Sequence, residues 1–141
     1  MKKFIFLLGL ISLQYTYKPC DPEVFCTSCV SRLSTGFNFL KTYRISADKD
    51  VTEYSYVFAK GTHYMITLCD QTGNSMVVTI LDSQRNKVAT NMVNGKVASA
   101  ISFPCQANGI YYLQFSFEGE GSHCGGSAMG FKIVQDQLRF S

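Results

Sequence analysis

Six cysteines are the residues of this sequence whose chemistry depends most on spacing and compartment. They are Cys20, Cys26, Cys29, Cys69, Cys105 and Cys124. The Cys26-x-x-Cys29 pair could be a redox dithiol, half of a zinc site or part of a disulfide set. The chain shows no βαβ pattern typical of a thioredoxin-like dithiol and no second CxxC or HxxxH pair to complete a zinc site. If the protein is exported, an even number of cysteines favours disulfide bonds.

The start of the chain predicts export. Lys2 and Lys3 precede an uncharged apolar run over residues 4–13, which fits a signal-peptide core and is too short for a membrane span of about 20 residues. Residues 1–17 are therefore predicted to be a signal peptide. After removal of this peptide, the mature protein is expected to have no membrane span and to lie in the periplasm, at the outer-membrane surface or outside the cell.

The net charge gives no support for nucleic-acid binding. The full chain carries a formal charge of +3, from 13 Lys and Arg residues against 10 Asp and Glu residues. Lys2 and Lys3 account for two of the 13, so 11 basic residues remain after the predicted cleavage. Because no basic stripe remains, a nucleic-acid partner is not expected.

Short strands separated by turns fill the chain from Phe37 onward. In residues 110–117, for example, Tyr111, Leu113 and Phe115 alternate with Tyr112 and other residues that face the opposite side. Such runs recur every 8–14 residues with turn residues between them, which predicts an antiparallel all-β sandwich of seven to nine strands. A short helical segment is expected only near residues 22–33. The expected core residues are Phe39, Phe58, Ile66, Leu68, Val78, Ile80, Ile101, Phe103, Tyr111, Leu113, Phe115 and Phe131.

The predicted strands suggest how the cysteines pair. We expect three disulfides and no free thiol, with Cys124 bonded to Cys69 or Cys105 at the rim of the sandwich. The remaining one of these would bond to the N-terminal group of three cysteines, whose other two members would pair locally. Residues 18–36 are thus predicted to form a Cys-rich strap stapled to a β-sandwich domain over residues 37–141.

The tyrosines are the candidate contact residues for a ligand or partner. Alternation places Tyr112 on the face opposite the core, towards solvent or a partner, and it places Tyr54 and Tyr56 together on one face of their strand. Exposed tyrosines on a sheet can stack on sugar rings or pack against a protein. Tyrosine is also simply a good strand residue, and that interpretation stays open.

The sequence offers no convincing catalytic set, and no cofactor is expected. A Cys124 nucleophile with His123 as its base is conceivable, but adjacent residues rarely aim at one reacting atom, and a disulfide would remove the thiolate. His63 begins a strand, and Glu118 and Glu120 fit an exposed acidic strand end better than a glycosidase pair. The protein is therefore predicted not to be an enzyme.

An ordered set of motifs resembles the bacterial pre-peptidase C-terminal domain. The matching segments are Phe58-Ala59-Lys60-Gly61, Tyr64-x-Ile66-x-Leu68, Val78-Thr79-Ile80-Leu81-Asp82-Ser83, Lys87-Val88-Ala89, Ile101-Ser102-Phe103 and Gly109-Ile110-Tyr111-Tyr112-Leu113. The resemblance spans roughly residues 55–117 and implies a jelly-roll-like β-sandwich that serves binding, solubility or targeting rather than catalysis. The family pattern lacks Cys69, Cys105 and Cys124. With these cysteines and no attached peptidase, the chain is more similar to short, uncharacterised exported proteins of gliding bacteria.

The resemblance also raises a calcium site, because some family members bind calcium through clustered carboxylates. Asp48, Asp50 and Glu53 are the close carboxylate group of this chain. Calcium needs six to eight oxygen ligands, so solvated turn residues are the favoured interpretation and metal binding the weaker one.

Three functions compete at this point. The favoured one is an exported, non-enzymatic interaction module, an accessory subunit of a bacterial cell-envelope or surface assembly that binds a protein partner. The alternative is a carbohydrate-binding module that uses exposed tyrosines. The third, a small hydrolase or redox protein using cysteine chemistry, has the weakest support.

Overall fold

The computed structural model describes residues 20–46, 50–71, 73–119 and 124–134, so the predicted signal peptide lies outside the described residues. These ranges contain one helix, α1 (Pro22–Val30), and ten strands. The strands are β1 (Asn38–Ile45), β2 (Thr52–Phe58), β3 (Thr62–Asp70), β4 (Met76–Leu81), β5 (Lys87–Thr90), β6 (Met92–Val93), β7 (Lys96–Val97), β8 (Ala100–Pro104), β9 (Gly109–Phe117) and β10 (Gly125–Ile133).

Eight strands form two four-stranded antiparallel sheets that share one core. Sheet 1 has the order β1-β10-β3-β8, and sheet 2 has the order β2-β9-β4-β5. The predicted all-β antiparallel sandwich is confirmed. The two further strands, β6 and β7, form a small hairpin whose turn residues Asn94 and Gly95 both have positive φ, as the Asn-Gly pair favours.

Aromatic rings fill the space between the sheets. Phe58 is fully buried and stacks on Tyr64 and Tyr111, with ring centroids 4.0 and 5.1 Å apart. Period-two alternation explains this packing, since every second residue of β3 and β9 points into the core. Nine of the twelve residues expected in the core are buried, and Ile101 and Phe131 are partly buried against the same cluster.

Phe39 is the exception, because its side chain is 52% exposed, and the prediction that it belongs to the core was wrong. The pairing of β1 with β10 shifts between Phe39 and Lys41, so Leu40 is an extra residue in the strand. Such a bulge reverses which side chains face the core. Tyr43 and Ile45, which lie beyond the bulge, are buried as alternation predicts.

Helix α1 covers the outer face of sheet 1. Asp21 caps its first turn by accepting a hydrogen bond from the Glu23 backbone N–H at 3.1 Å, and Pro22 occupies the first helical position. The helix packs on β10, β1 and β3. Across the described ranges, helix length and apolarity fall short of what a membrane crossing needs.

Small residues on β10 let the helix approach closely. A Cβ atom at Gly126 would lie 2.6 Å from the Cys26 backbone nitrogen, and one at Gly130 would lie 3.2 Å from the side chain of Leu33, which follows the helix. Ala128 lies between them on the same face and is buried under α1. Gly126 and Ala128 of β10 therefore leave room for α1 on the outer face of sheet 1.

Two disulfides join the N-terminal segment to the sandwich. The bond of Cys69 to the N-terminal group is one that the sequence left open, whereas Cys124 is not bonded to Cys69 or Cys105 as expected. Cys20 is bonded to Cys124, and Cys29 is bonded to Cys69. Cys26 and Cys105 are free thiols, so the expectation of three disulfides was wrong.

The fold explains both free cysteines. Cys105 lies beside Gly61 and Thr62, whereas Cys124 lies beside Gln71. These positions are at opposite ends of β3, roughly 25 Å apart for a strand of this length, so Cys105 cannot reach Cys124. Cys26 lies about one helical turn before Cys29. Its thiol donates a hydrogen bond to the Tyr43 carbonyl of β1 at 3.2 Å and so points away from the Cys29–Cys69 disulfide.

Candidate binding face

The outer face of sheet 2 carries exposed apolar side chains. Val57 on β2 pairs with Ile110 on β9, and their side chains are 67% and 46% exposed. One step along the same face, Ser55 pairs with Tyr112, and beyond it Glu53 pairs with Gln114. We call the set formed by Glu53, Val57, Arg85, Ile110, Tyr112 and Gln114 the candidate face.

The loop between β4 and β5 positions Arg85 over this face. Asp82 Oδ1 accepts hydrogen bonds from the backbone N–H groups of Gln84 and Asn86, both at 2.9 Å. These bonds lower the pKa of Asp82, that to Asn86 most. Arg85 has a φ of 68°, an uncommon conformation that the Asp82 hydrogen bonds on either side of it support. The turn thereby fixes the direction in which Arg85 leaves the backbone.

Arg85 forms a two-bond ion pair with Glu53 across the face. The two guanidinium nitrogens donate to the two carboxylate oxygens at 2.8 and 3.0 Å, and Gln114 donates to Oε1 at 2.9 Å. Hydrogen bonding from Arg85, and then from Gln114, lowers the pKa of Glu53. Such paired hydrogen bonds set the orientation of a guanidinium as well as its position.

The same guanidinium lies over the ring of Tyr112, 4.1 Å from its centroid. This cation–π contact holds the aromatic ring and the charge together at the centre of the face. Because the cation already covers one side of the ring, that side is closed to a stacked sugar. The arrangement instead places an arginine and a tyrosine, two residue types enriched in protein-binding hot spots, beside the exposed apolar pair Val57 and Ile110.

The structure does not bring the three predicted contact tyrosines together. Tyr54 and Tyr56 point inward and pack against the core, and the Tyr54 hydroxyl donates to the Arg44 carbonyl at 3.0 Å. Tyr112 points outward on the opposite face of sheet 2. A shared aromatic platform of these three residues is therefore absent from the fold, and only Tyr112 belongs to the candidate face.

The carboxylates considered as calcium ligands, Asp48, Asp50 and Glu53, do not form a cluster among the described residues. Glu53 is occupied by Arg85, Asp50 is exposed, and Asp48 lies outside the described residues. Within the described part of the chain, no group of three or more His, Cys, Asp or Glu residues is arranged to hold a metal ion.

The described residues considered for catalysis do not form a catalytic group. Cys124 has no free thiol because it forms a disulfide with Cys20. His123 and Glu120 lie outside the described residues. Glu118 is exposed at the end of β9. Burial raises the pKa of the Cys26 thiol, which disfavours the thiolate that a nucleophile requires.

Sequence reasoning missed Arg85, Gln114, Val57 and Ile110 as members of one face. Alternation alone gives the direction of Val57 and Gln114 along their own strands. It does not say that β2 and β9 are neighbours, which requires the sheet order. The turn signal around Asp82 is visible in the sequence, but the reach of Arg85 to Glu53, 32 residues away, is not.

No protein-family model matches the chain. No curated protein matches it either.

Two solved structures are similar to this one. The pre-peptidase C-terminal domain of collagenase from Bacillus anthracis has 18% sequence identity and a TM-score of 0.49, and the match covers 65% of this chain and 88% of that one. PliG from Aeromonas hydrophila, a periplasmic lysozyme inhibitor of g-type lysozyme, has 13% identity and a TM-score of 0.44, with 72% and 90% covered. The first is a domain of the family that the sequence motifs resemble. At these identities, neither likeness extends to a function.

Proposed function

We propose that this protein is an exported, non-enzymatic interaction module, an accessory subunit of a bacterial cell-envelope or surface assembly. In this proposal a partner protein binds the candidate face on sheet 2. The observation that carries it is the Arg85–Tyr112 contact, held in place by Glu53 and bordered by the exposed pair Val57 and Ile110.

The order of the face supports binding to a protein. A side chain that is already fixed loses little conformational entropy when a partner docks, so its contacts contribute more of their energy to affinity. Arg85 is fixed by its two hydrogen bonds to Glu53 and by the Asp82 turn. Arginine and tyrosine are also the residue types most enriched where alanine substitution weakens interfaces most.

The cysteines support the exported, non-catalytic part of the proposal. Four of the six form disulfides, which persist in oxidising compartments. The candidate nucleophile Cys124 is one of the four, and the Cys26 thiol is buried in a site that raises its pKa.

The test is a pull-down from solubilised envelopes, followed by affinity measurement with each captured protein. Tyr112→Ala and Arg85→Ala should each weaken binding at least tenfold, the size expected for a hot spot. Arg44→Ala is the matched control, because Arg44 also pairs with a glutamate, Glu23, at 2.6 Å, but on the side of sheet 1. Equal losses for Arg44→Ala, or full affinity for Tyr112→Ala, would contradict the proposal.

A further inference from the structure

Each sheet ends in two edge strands, and three of the four carry features that block further pairing. In β1 a register shift lies beside Lys41, and Arg44 follows it. Strand β5 has four residues and begins with Lys87. Strand β8 ends at the exposed Pro104, which has no backbone N–H to donate. Bulges, lysines, prolines and short length are the usual means by which proteins prevent edge-to-edge association.

Strand β2 has none of these features. It pairs with β9 residue for residue from Thr52 to Phe58 without a register shift. It contains no Lys, Arg or Pro, and its single charged residue, Glu53, is held by Arg85. Its exposed face carries Val57, the most exposed of the large apolar side chains in the described residues. A regular edge of seven residues is a template for one more strand.

We propose that β2 pairs antiparallel with β2 of a second copy of this chain, with the two-fold axis at Ser55. A two-fold interface needs a strand that is complementary to itself, because residue i must meet residue j and residue j must meet residue i. With Ser55 on the axis, Ser55 faces its own copy, Tyr54 faces Tyr56 of the second copy, and Glu53 faces Val57 of the second copy.

Each of these pairings is compatible with the side chains that the fold presents. Tyr54 and Tyr56 both point towards the core side of sheet 2, so the facing tyrosines form cross-strand aromatic pairs on one side of the joined sheet. On the outer side, the pairing places no charge opposite a like charge, because Glu53 meets an apolar residue. A second copy of the chain is the occupant that we infer, because it supplies a strand whose side chains meet those of β2 in this register without opposing like charges.

The pairing joins two copies of sheet 2 into one sheet of eight strands. The two candidate faces then lie on the same side of that sheet, related by the two-fold axis. This inference does not rest on the proposed function, because it is argued from the backbone edge of β2. The two surfaces meet at Glu53 and Val57, which lie in β2 and also belong to the candidate face.

The first test is the molar mass of the protein in solution, measured by light scattering or sedimentation over a wide concentration range with both disulfides formed. The wild-type chain should approach twice the monomer mass of 15.7 kDa, less any removed signal peptide, as concentration rises. Ser55→Lys places two ammonium groups opposite each other at the axis and should leave a monomer. Ser102→Lys, at an exposed position of edge strand β8, is the matched control and should still dimerise.

The second test does not depend on how well Ser55→Lys folds. Residues facing each other across an antiparallel pair lie about 4.5–5.5 Å apart at Cα, within the range that a disulfide spans. Ser55→Cys should therefore form a covalent dimer on mild oxidation, whereas Ser102→Cys should not. A wild-type chain that stays monomeric at every concentration, or a dimer that forms equally with Ser55→Lys and is not captured by Ser55→Cys, would overturn the proposal.

Discussion

Cys29, near the end of helix α1, is bonded to Cys69, near the end of β3, with their Cα atoms 5.8 Å apart. Around this bond, Ala128 is fully buried, and Phe25 and Val30 pack against it. Thr67 lies two residues before Cys69 on the same face of β3, and its hydroxyl donates to the Cys29 carbonyl at 3.0 Å. The disulfide and these contacts together fix α1 against the outer face of sheet 1.

Removing this bond should destabilise the protein strongly. Cys29→Ala with Cys69→Ala frees a loop of 40 residues in the unfolded chain, for which the chain-entropy model gives about 4 kcal/mol. Urea unfolding followed by circular dichroism measures the loss. Cys26→Ala with Cys105→Ala is the control, because it also removes two buried sulfurs but no covalent link, and its loss should be clearly smaller.

The thiol count separates the observed pairing from the one expected from sequence. Two thiols per chain should react with a chromogenic disulfide reagent after denaturation without reduction, and neither should react quickly in the native protein. Cys26 and Cys105 are 1% and 4% exposed, and burial raises the pKa of Cys26. A count of zero after denaturation would restore the three-disulfide hypothesis, and fast native reaction would contradict the burial of both sulfurs.

The sequence was sufficient to predict the class of fold because alternation is a local property. Residues two apart on a strand face the same side whatever the rest of the chain does, so Leu113 and Phe115 could be assigned to the core from the sequence alone. Turn residues such as Asn94 and Gly95 are equally local, since their positive φ is a property of the residues themselves.

The disulfide pairing and the candidate face could not be predicted in the same way. Whether Cys124 meets Cys20 or Cys105 depends on which ends of the sandwich the cysteines occupy, and that depends on the order of strands in space. The contact between Arg85 and Glu53 likewise needs the β4–β5 loop to reach over β9 to β2. A bulge such as that at Leu40 adds one residue and reverses the local alternation without a strong sequence signature.

Two truncations in the core and at the bulge test the assignment of faces. Leu113→Ala removes a fully buried side chain and should lower the free energy of unfolding by about 2–5 kcal/mol. Phe39→Ala removes a half-exposed ring before the bulge and should cost much less, about 1 kcal/mol or below. Chemical denaturation of both variants gives the comparison, and similar losses would mean that Phe39 packs as a core residue.

Gly126 should tolerate no side chain, because α1 lies directly over it. A Cβ atom there would lie 2.6 Å from the Cys26 backbone nitrogen, so Gly126→Ala must push the helix away from sheet 1. We expect a loss of about 1–3 kcal/mol, as for other overpacked sites, and faster reaction of the Cys26 thiol in the native state.

Gly95→Ala is the control for that variant. No atom lies within 4 Å of a Cβ at Gly95, so its cost should come only from its positive φ, about 1 kcal/mol, and the Cys26 thiol should stay protected. If Gly126→Ala leaves the reactivity of Cys26 unchanged, the helix does not pack on β10 in the way described.

Tyr43 and Tyr111 should respond oppositely to loss of their hydroxyl groups. The Tyr43 hydroxyl is buried and has no hydrogen-bond partner among the described residues, whereas the Tyr111 hydroxyl donates to the Ala107 carbonyl at 2.7 Å. An unpaired buried polar group destabilises the folded state, and a satisfied one contributes about 1 kcal/mol. Tyr43→Phe should therefore stabilise the protein by about 1 kcal/mol at neutral pH, and Tyr111→Phe should destabilise it by a similar amount.

The same two tyrosines predict the alkaline limit of stability. Burial raises the pKa of Tyr43 well above its usual value of 10, and burial together with the neighbouring Cys105 raises the pKa of Tyr111 to about 12. Since the neutral phenols are favoured in the folded state, their contribution is fully present below pH 10 and is lost as pH rises towards and above 12. Urea unfolding at several pH values between 8 and 12 should show this fall, and Tyr43→Phe should make it shallower. A slope in Tyr43→Phe equal to that of the wild type would mean that Tyr43 ionises as easily in the folded chain as in the unfolded one.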